Sequence, residues 1–112
     1  MIKKAGDQFK LLFIIVKKEL SRTALRACKD GGAEGGTVLI GRGTGKFDSS
    51  IFGLKVEAEK AVILSIVPDH LVDPVLESVE TSVNLNKPGT GIAFVVNSRS
   101  ICGVAHLLKP DL

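Results

Sequence analysis

The sequence predicts an α+β domain of the ferredoxin-like, split β-α-β type: a four-stranded antiparallel sheet with two helices on one face. The predicted elements follow the order β-α-β, a long loop, and β-α-β again, so the chain contains two similar units. The most uniformly apolar segments, residues 11–16 and 61–67, are the first and third predicted strands. These are the central strands of that topology, so the hydrophobic pattern and the topology agree.

The first unit consists of a buried strand, a helix and a second strand. Residues 10–16 are a nearly continuous apolar run after one lysine, which is typical of a strand covered on both faces. Ser21 is a residue type that caps helices, and we expect a helix from there to about residue 30, ended by two glycines. Residues 37–40 are rich in strand formers and predict a second strand that continues toward Gly43.

The second unit repeats this arrangement after a predicted loop over residues 45–59, which combines turn formers and mixed charge. Loops of this length in compact domains are usually functional or disordered. After the strand at 61–67, Asp69 is a suitable N-cap for a helix, although Pro74 fits only if the helix begins near Asp73. The helix has regularly spaced apolar positions: Leu71, Val75, Val79 and Val83. Residues 92–96 form the last predicted strand.

The length and composition indicate one small domain that associates with copies of itself. With 112 residues, we expect a domain at 9–106, a flexible tail at 1–8 and another tail at 107–112. Apolar residues make up 45% of the chain, which is high for a monomer of this size. Part of the apolar surface should therefore face another subunit.

Charge and cysteine content limit the partners and the location. The formal net charge is only +3, and the basic residues are dispersed, whereas nucleic-acid binders usually concentrate them in a patch. Cys28 and Cys102 are far apart in sequence and should be free thiols in a reducing compartment. The apolar run at 11–16 is too short to span a membrane or to form a signal peptide core. We expect a cytoplasmic protein with no membrane insertion and no nucleic-acid partner.

Two glycine-rich loops carry the chemistry that is most specific in the sequence. Residues 87–91 read KPGTG and lead directly into an apolar strand, and residues 41–46 read GRGTGK after an earlier strand. Glycine permits backbone conformations in which amide groups can surround an anion, so both loops are candidates for binding phosphate. Simple turns remain the alternative interpretation. A P-loop is excluded because only three residues separate Gly41 from Gly45, and Phe47 stands where Ser or Thr would hold magnesium.

Catalytic and metal-binding constellations are not apparent. His70 and His106 are isolated from suitable partners, so we expect neither an enzyme nor a metal site. An acylphosphatase-type site would need an arginine and a positioned asparagine. Arg42 and Asn97 exist, but nothing in their spacing pairs them. RNA-binding modules of this topology stack bases on aromatic residues of the central strands, and the third predicted strand has none.

Four segments together resemble the PII-type nitrogen regulatory signalling proteins. They are GTV at 36–38, GTGK at 43–46, VPDHLV at 67–72 and GTG at 89–91. Their order and spacing resemble a PII-like member of this family over almost the whole domain.

The resemblance implies a homotrimer that binds ATP or ADP between subunits, with 2-oxoglutarate beside the nucleotide in many members. It also implies a flexible T-loop, here residues 46–59, that regulates a partner such as a membrane transporter or a metabolic enzyme. By position, the implied nucleotide-binding residues are Gly43, Gly45, Lys46, Lys87, Gly89, Thr90 and Gly91. The implied partner-binding residues of the loop are Phe47, Ile51 and Phe52.

Several positions depart from the family pattern and bear on the ligand. Ile92 occupies the place of a phosphate-binding lysine, and Gly103 and Ala105 occupy the places of two arginines. Lys46 and Phe47 replace an arginine and a glutamine, and the loop has no tyrosine for uridylylation. A lost charge-assisted contact costs about 1.5–3 kcal/mol, so a mono- or diphosphate nucleotide is favoured over ATP as the effector. The alternative is a trimeric scaffold without a small ligand.

Overall fold

The computed structural model describes residues 8–43, 50–51, 54–55 and 58–103. The predicted tails, apart from Gln8, and most of the predicted loop lie outside these residues. Six strands are described, of which four form one sheet and two form a short hairpin. In chain order they are β1 (Phe9–Lys17), β2 (Thr37–Gly43), β3 (Ser50–Ile51), β4 (Leu54–Lys55), β5 (Ala58–Pro68) and β6 (Gly91–Asn97).

The four-stranded sheet has the order β2-β5-β1-β6, and every neighbouring pair is antiparallel. The two apolar strands β1 and β5 are central, which confirms the predicted fold class. The register places Ile14 of β1 between Ile63 of β5 and Ala93 of β6. Because side chains alternate along a strand and directly opposite residues share a face, this register fixes which residues face the helices.

The helices are α1 (Ser21–Asp30) and α2 (Val72–Val83), and each follows a 3-10 turn. The predictions that Ser21 and Asp69 are N-caps are wrong. The 3-10 turns already place the preceding residues, Leu20 and Leu71, in helical conformation, so these are the N-caps and no side chain caps either helix. Pro74 lies in the first turn of α2, where a backbone N–H has no partner within the helix, so proline is tolerated there.

The predicted long loop is shorter than the sequence indicated. β5 begins at Ala58, so residues 58–59 belong to the sheet, where they pair with Gly43 and Arg42 of β2. Ser50–Ile51 and Leu54–Lys55 pair as an antiparallel hairpin inside the predicted loop. The hairpin could not be predicted from the sequence, because a two-residue strand leaves no alternating pattern and the surrounding turn formers indicate a loop.

The helices pack on one face of the sheet and enclose the core. Buried side chains from α1, α2, β1 and β5, together with Ala33 from the segment after α1, form a single cluster: Leu12, Ile14, Val16, Ala24, Ala27, Cys28, Ala33, Ala61, Ile63, Val67, Val75, Val79 and Val83. Ser65 also points into this face and donates a hydrogen bond from Oγ to the Gly35 carbonyl at 2.6 Å, which satisfies its buried hydroxyl.

The opposite face of the sheet, here called the open face, is also apolar. Three cross-strand rows can be traced from the register: Leu39, Val62, Ile15 and Ile92; Leu64, Phe13 and Phe94; Ile66, Leu11 and Val96. The rings of Phe13 and Phe94 stack with centroids 5.0 Å apart. Ile92 remains 55% exposed and Leu39 51% exposed. That another subunit covers this face stays a prediction.

The two helices approach closely at Gly31. A Cβ added there would lie 2.6 Å from Cα of Val75, and Ser78 Oγ donates to the Ala27 carbonyl at 2.7 Å. We expect Gly31→Ala to lower the free energy of unfolding by about 1–3 kcal/mol, because two backbones must separate. Gly35 has nothing within 4 Å of an added Cβ, so Gly35→Ala is the matched control. Urea unfolding at one protein concentration measures both, and equal effects would contradict the packing described.

The buried thiol of Cys28 predicts a pH dependence. Burial raises the pKa of Cys28 from 9.0 to about 11, so the unfolded chain loses this proton first as the pH rises. Stability should therefore fall between pH 9 and 11 by about 1.4 kcal/mol per unit relative to a Cys28→Ala variant. Parallel urea titrations of the two proteins across this range measure the difference. A constant difference would show that the thiol does not titrate with folding.

Candidate functional site

The 84–90 loop and the described part of the second glycine-rich segment, residues 41–43, lie at the same end of the sheet, although residues 41–43 are the end of strand β2 and not a loop. Since neighbouring strands are antiparallel, the carboxyl ends of β1 and β2 lie beside the amino ends of β5 and β6. This end, here called the loop end, therefore includes Lys17, Gly43, Ala58 and Gly91. The segments that leave it are the turn before α1, the predicted long loop, and the 84–90 loop before β6.

The 84–90 loop is fixed to the end of α2 by turns. Asn84 adopts the left-handed conformation (φ 53°, ψ 57°), which ends the helix. The Lys87 N–H then donates to the Asn84 carbonyl at 3.0 Å, and the Thr90 N–H donates to the Lys87 carbonyl at 3.3 Å. Gly89 has φ 83°, a conformation that side chains disfavour. Consecutive turns thus hold Lys87, Gly89 and Thr90 in one compact loop.

Gly91 is glycine for a structural reason. A Cβ added there would collide with the Ile15 carbonyl oxygen and would lie 2.7 Å from a methyl carbon of Val16. Gly91 pairs with Val16 in the register, so close contact between β6 and β1 leaves no room for a side chain. Its predicted role in binding is untested, but the packing alone accounts for this residue type.

A cleft of about 370 Å³ opens between the 84–90 loop and the turn that follows β1. It is lined by Lys17, Glu19, Leu20, Lys87, Pro88, Gly89 and Thr90. The two lysines and the Thr90 hydroxyl suit a phosphate-bearing ligand, whereas the Glu19 carboxylate limits how much negative charge the cleft can accept. Three of the residues predicted from the sequence, Lys87, Gly89 and Thr90, line it together.

Sequence reasoning missed the other wall of the cleft. Lys17, Glu19 and Leu20 line it because β1 runs beside β6 and ends next to the 84–90 loop. The available signal was the Lys17–Lys18 doublet at the end of the first apolar run. Lys60 lies opposite Lys17 on β5, so the loop end has further positive charge. Lys18 forms an ion pair with Glu59 (Nζ to Oε2, 3.4 Å), which joins this turn to the start of β5.

The second glycine loop begins at the opposite edge of the sheet. Gly43 ends β2, and β2 and β6 are the two edge strands. Three strand spacings separate them, about 14 Å. Within one chain, Gly43 and the 84–90 loop therefore do not share one small ligand. The predicted residues Gly45, Lys46, Phe47 and Phe52 lie outside the described residues, and of Ile51 only the backbone, in β3, is described.

Two of the positions that depart from the family pattern, Ile92 and Gly103, are described and do not line the cleft. Ile92 points to the open face beside Ile15, Gly103 is exposed with φ 89°, and Ala105 lies outside the described residues. Lys17 instead supplies a second positive charge from β1. The cleft therefore has two lysines, one more than the 87–92 segment alone provides.

The structure separates the residues of the alternative enzyme site. Arg42 lies at the loop end of edge strand β2, whereas Asn97 lies at the far end of the other edge strand, β6. The two residues cannot cooperate on one substrate within a chain. Among the described residues, no group of three or more His, Cys, Asp or Glu side chains is arranged to hold a metal ion. In the same part of the chain, no helix is long and apolar enough to cross a membrane.

A second cavity, of about 230 Å³, lies at the far end of the sheet. Its lining is mostly apolar and consists of Lys10, Leu11, Ile66, Asn97, Ser98 and Ile101. Leu11 and Ile66 belong to the last row of the open face, so this cavity continues that face. Lys10 pairs with Asp69 at 3.7 Å beside it.

The fold and the cleft define a small ferredoxin-like protein with a candidate anion site at one end of its sheet. The sequence profile of the family described as nitrogen regulatory protein P-II matches residues 9–104. The chain therefore belongs to the P-II family of signal-transduction proteins. No curated protein sequence matches it significantly.

Solved structures agree with this assignment. The chain is similar to Arabidopsis thaliana PII in a crystal structure bound to citrate, with a TM-score of 0.69 and 20% sequence identity. The alignment covers 88% of this chain and 85% of that chain. At this identity the similarity establishes the shared fold, and the predicted fold class is confirmed.

The contacts at Gly91 predict that alanine substitutions at Gly91 and at nearby Gly89 lower stability by different amounts. We expect Gly91→Ala to reduce stability by about 2–3 kcal/mol, because β6 must move away from β1. Gly89→Ala should cost only about 1–2 kcal/mol, which is the strain of a side chain at positive φ. Chemical denaturation of both variants measures the difference. A larger effect at Gly89 than at Gly91 would contradict the described approach of β6 to β1.

Proposed function

We propose that this chain is a homotrimeric P-II sensor that binds an adenine nucleotide in clefts between subunits and regulates a partner protein. The observation that carries the proposal is the cleft at the loop end, where Lys17 and Lys87 line opposite walls together with Thr90. A phosphate group between the two walls would receive charge-assisted contacts from both lysines. Because Gly89 has no side chain, the backbone of the 84–90 loop can approach this phosphate closely.

The positions of the two glycine loops support a site between subunits. Gly43 and the 84–90 loop share the loop end but lie on opposite edges of the sheet. If the β6 edge of one copy lies beside the β2 edge of the next, both loops border one composite cleft. The contact is head-to-tail, because two different edges meet, and such contacts close into a ring when the rotation from one copy to the next completes a full turn. Three copies would complete the trimer that the family resemblance implies.

The open face supports the same assembly. Its three rows form a continuous apolar surface on which Ile92, Phe94 and Val96 are each at least 40% exposed. Exposed apolar patches of this extent mark interaction surfaces. In a ring of three, the open faces of the subunits would turn toward each other and exclude water.

The charge in the cleft favours a ligand with fewer phosphates than ATP. Lys17 and Lys87 offer two cations, and the Glu19 carboxylate lines the same cleft and would repel a third phosphate. Ile92 and Gly103 add no charge. We therefore expect ADP or AMP to bind more tightly than ATP.

The output would be the loop at 46–59, with Phe47, Ile51 and Phe52 as contacts for a membrane transporter or a metabolic enzyme. The Lys18–Glu59 ion pair links the cleft-lining turn to the point where this loop rejoins the sheet. A ligand that shifts Lys17 and Glu19 would thus act on the base of the loop. The partner would then distinguish the two loop conformations. Cytoplasmic location is part of the proposal.

Calorimetric titration of the purified protein with AMP, ADP, ATP and cyclic AMP tests the nucleotide. We expect Lys87→Ala and Lys17→Ala each to weaken binding about 10- to 100-fold, the value of one charge-assisted contact. Lys18→Ala is the matched control, because Lys18 is adjacent but pairs with Glu59 outside the cleft and should change binding less than 3-fold, about the value of an exposed ion pair. If no nucleotide binds the parent protein at millimolar concentration, the nucleotide part is overturned.

A trimeric scaffold without a small ligand is the second candidate. It is favoured by Ile92 and Gly103, where the family pattern has basic residues. Glycine substitutions separate the candidates poorly, since Gly91→Ala disturbs packing directly. The Lys17→Ala/Lys87→Ala double variant is better. Under the scaffold reading it captures the same partner as the parent protein, whether or not nucleotide is added. Under the sensor reading, only the parent protein changes its partner binding with nucleotide.

A further inference from the structure

The two helices expose opposite charges on their outer surfaces. One face of α1 carries three basic residues at spacings of four and three, here called the basic stripe: Arg22, Arg26 and Lys29. One face of α2 carries three acidic residues at the same spacings, here called the acidic stripe: Asp73, Glu77 and Glu80. All six side chains are exposed. Asp30 is the one acidic residue in α1, and α2 has no basic residue.

The stripes lie on the flanks of the helix pair, away from the contact between the helices. The α1 side that meets α2 includes Ala27 and Gly31, through the Ser78 hydrogen bond and the approach to Val75. The basic stripe lies on the opposite side of α1, nearer Leu25, whose side chain packs beside Gly36 at the start of the β2 edge. The basic stripe therefore borders the β2 edge.

The acidic stripe borders the other edge of the sheet. Val75 and Ser78 form the side of α2 that faces α1. Leu76 lies on the opposite side and lines a small void together with Val95 of β6. The stripe residues follow Leu76 around the helix at 100° per residue, so they share the flank above β6.

Within the described part of the chain, neither stripe forms an ion pair with an opposite charge. The Lys10–Asp69 and Lys18–Glu59 ion pairs lie elsewhere and include no stripe residue. Three like charges on one exposed face repel each other, whereas a typical solvated helix mixes signs at these spacings. Opposite signs separated onto opposite edges indicate a contact in which one edge meets the other.

We propose that the basic stripe of one copy pairs with the acidic stripe of the next copy across each subunit boundary. The inference rests on the proposed function, because the composite cleft brings the β2 edge of one copy beside the β6 edge of the next. α1 and α2 are antiparallel within a chain, since each follows one of two antiparallel strands. With both loop ends on the same side, they are also antiparallel across the boundary.

This orientation matches the stripes in register. Arg22 and Glu80 lie near the loop end, and Lys29 and Asp73 lie near the far end. Each stripe spans eight residues, and the seven steps between its ends correspond to about 10 Å of helix. The pairs across the boundary are Arg22 with Glu80, Arg26 with Glu77, and Lys29 with Asp73.

The stripes also select against a wrong assembly. β2 is an apolar edge strand, and pairing of β2 with β2 of a second copy would satisfy its free backbone groups. Such a two-fold contact would place basic stripe against basic stripe, with like charges opposed. Of these two contacts, only the head-to-tail one places unlike charges opposite each other. The charge pattern thus favours the head-to-tail contact over a two-fold dimer.

A charge-swap cycle tests the pairing at its central position. We expect Arg26→Glu and Glu77→Arg each to raise the trimer dissociation constant about 10- to 100-fold at 50 mM NaCl, since one reversal affects every boundary in the ring. Arg26→Glu/Glu77→Arg in one chain should return it to within about 3-fold of the parent protein, because unlike charges face each other again. At 500 mM NaCl the differences should shrink. Sedimentation velocity over a concentration series provides the constants.

Arg99→Glu is the control for net charge. Arg99 is exposed, lies after β6 outside both stripes, and changes the charge by the same amount as Arg26→Glu. Arg26→Gln removes charge without reversing it and should give an intermediate constant. Two results would overturn the stripe pairing while leaving the trimer in place. The first is that the single reversals have the same trimer dissociation constant as Arg99→Glu. The second is that the double variant associates as weakly as the single reversals. A parent protein that forms no trimer would overturn the proposed assembly as well.

Discussion

The sheet is apolar on both faces, but the two helices cover only one of them. The rest of the structure depends on this constraint. β1 and β5 are central and need cover above and below, and α1 and α2 supply it on the side of Ile14 and Ile63. The other side presents the stacked rings of Phe13 and Phe94 within a continuous apolar surface. A chain with this sheet therefore has an incomplete core until a further surface covers the open face.

The same sheet determines where chemistry can occur. Antiparallel pairing brings four strand ends to the loop end, and the tight approach of β6 to β1 at Gly91 sets the 84–90 loop beside Lys17. The cleft is thus a product of strand register and does not depend on a single motif. Its two lysines come from segments that are 70 residues apart in the sequence. The order β2-β5-β1-β6 also separates the two glycine loops, which is the physical reason to seek their meeting point between subunits.

The sequence predicted the fold well because its strongest signals are local and periodic. The apolar runs of β1 and β5, and the spacing of Val75, Val79 and Val83, identified central strands and a helix face directly. Ser21 and Asp69 failed as caps, because 3-10 turns had already begun the helical conformation. For the site, the loop at 87–90 was predictable from glycine chemistry. Lys17 was not, because its position beside that loop follows from long-range pairing of β1 with β6.

The exposed edge of strand β2 makes the single chain prone to aggregation. Val38, Leu39 and Ile40 are 37%, 51% and 52% exposed on a strand whose outer backbone groups have no neighbouring strand in the sheet. Such an edge is a template for aggregation, and it carries no proline or charged residue before Arg42 to interrupt pairing. If the chain assembles as proposed, newly synthesised chains face a kinetic competition between assembly and aggregation. Expression level, and access to chaperones during that interval, should decide how much usable protein a cell obtains.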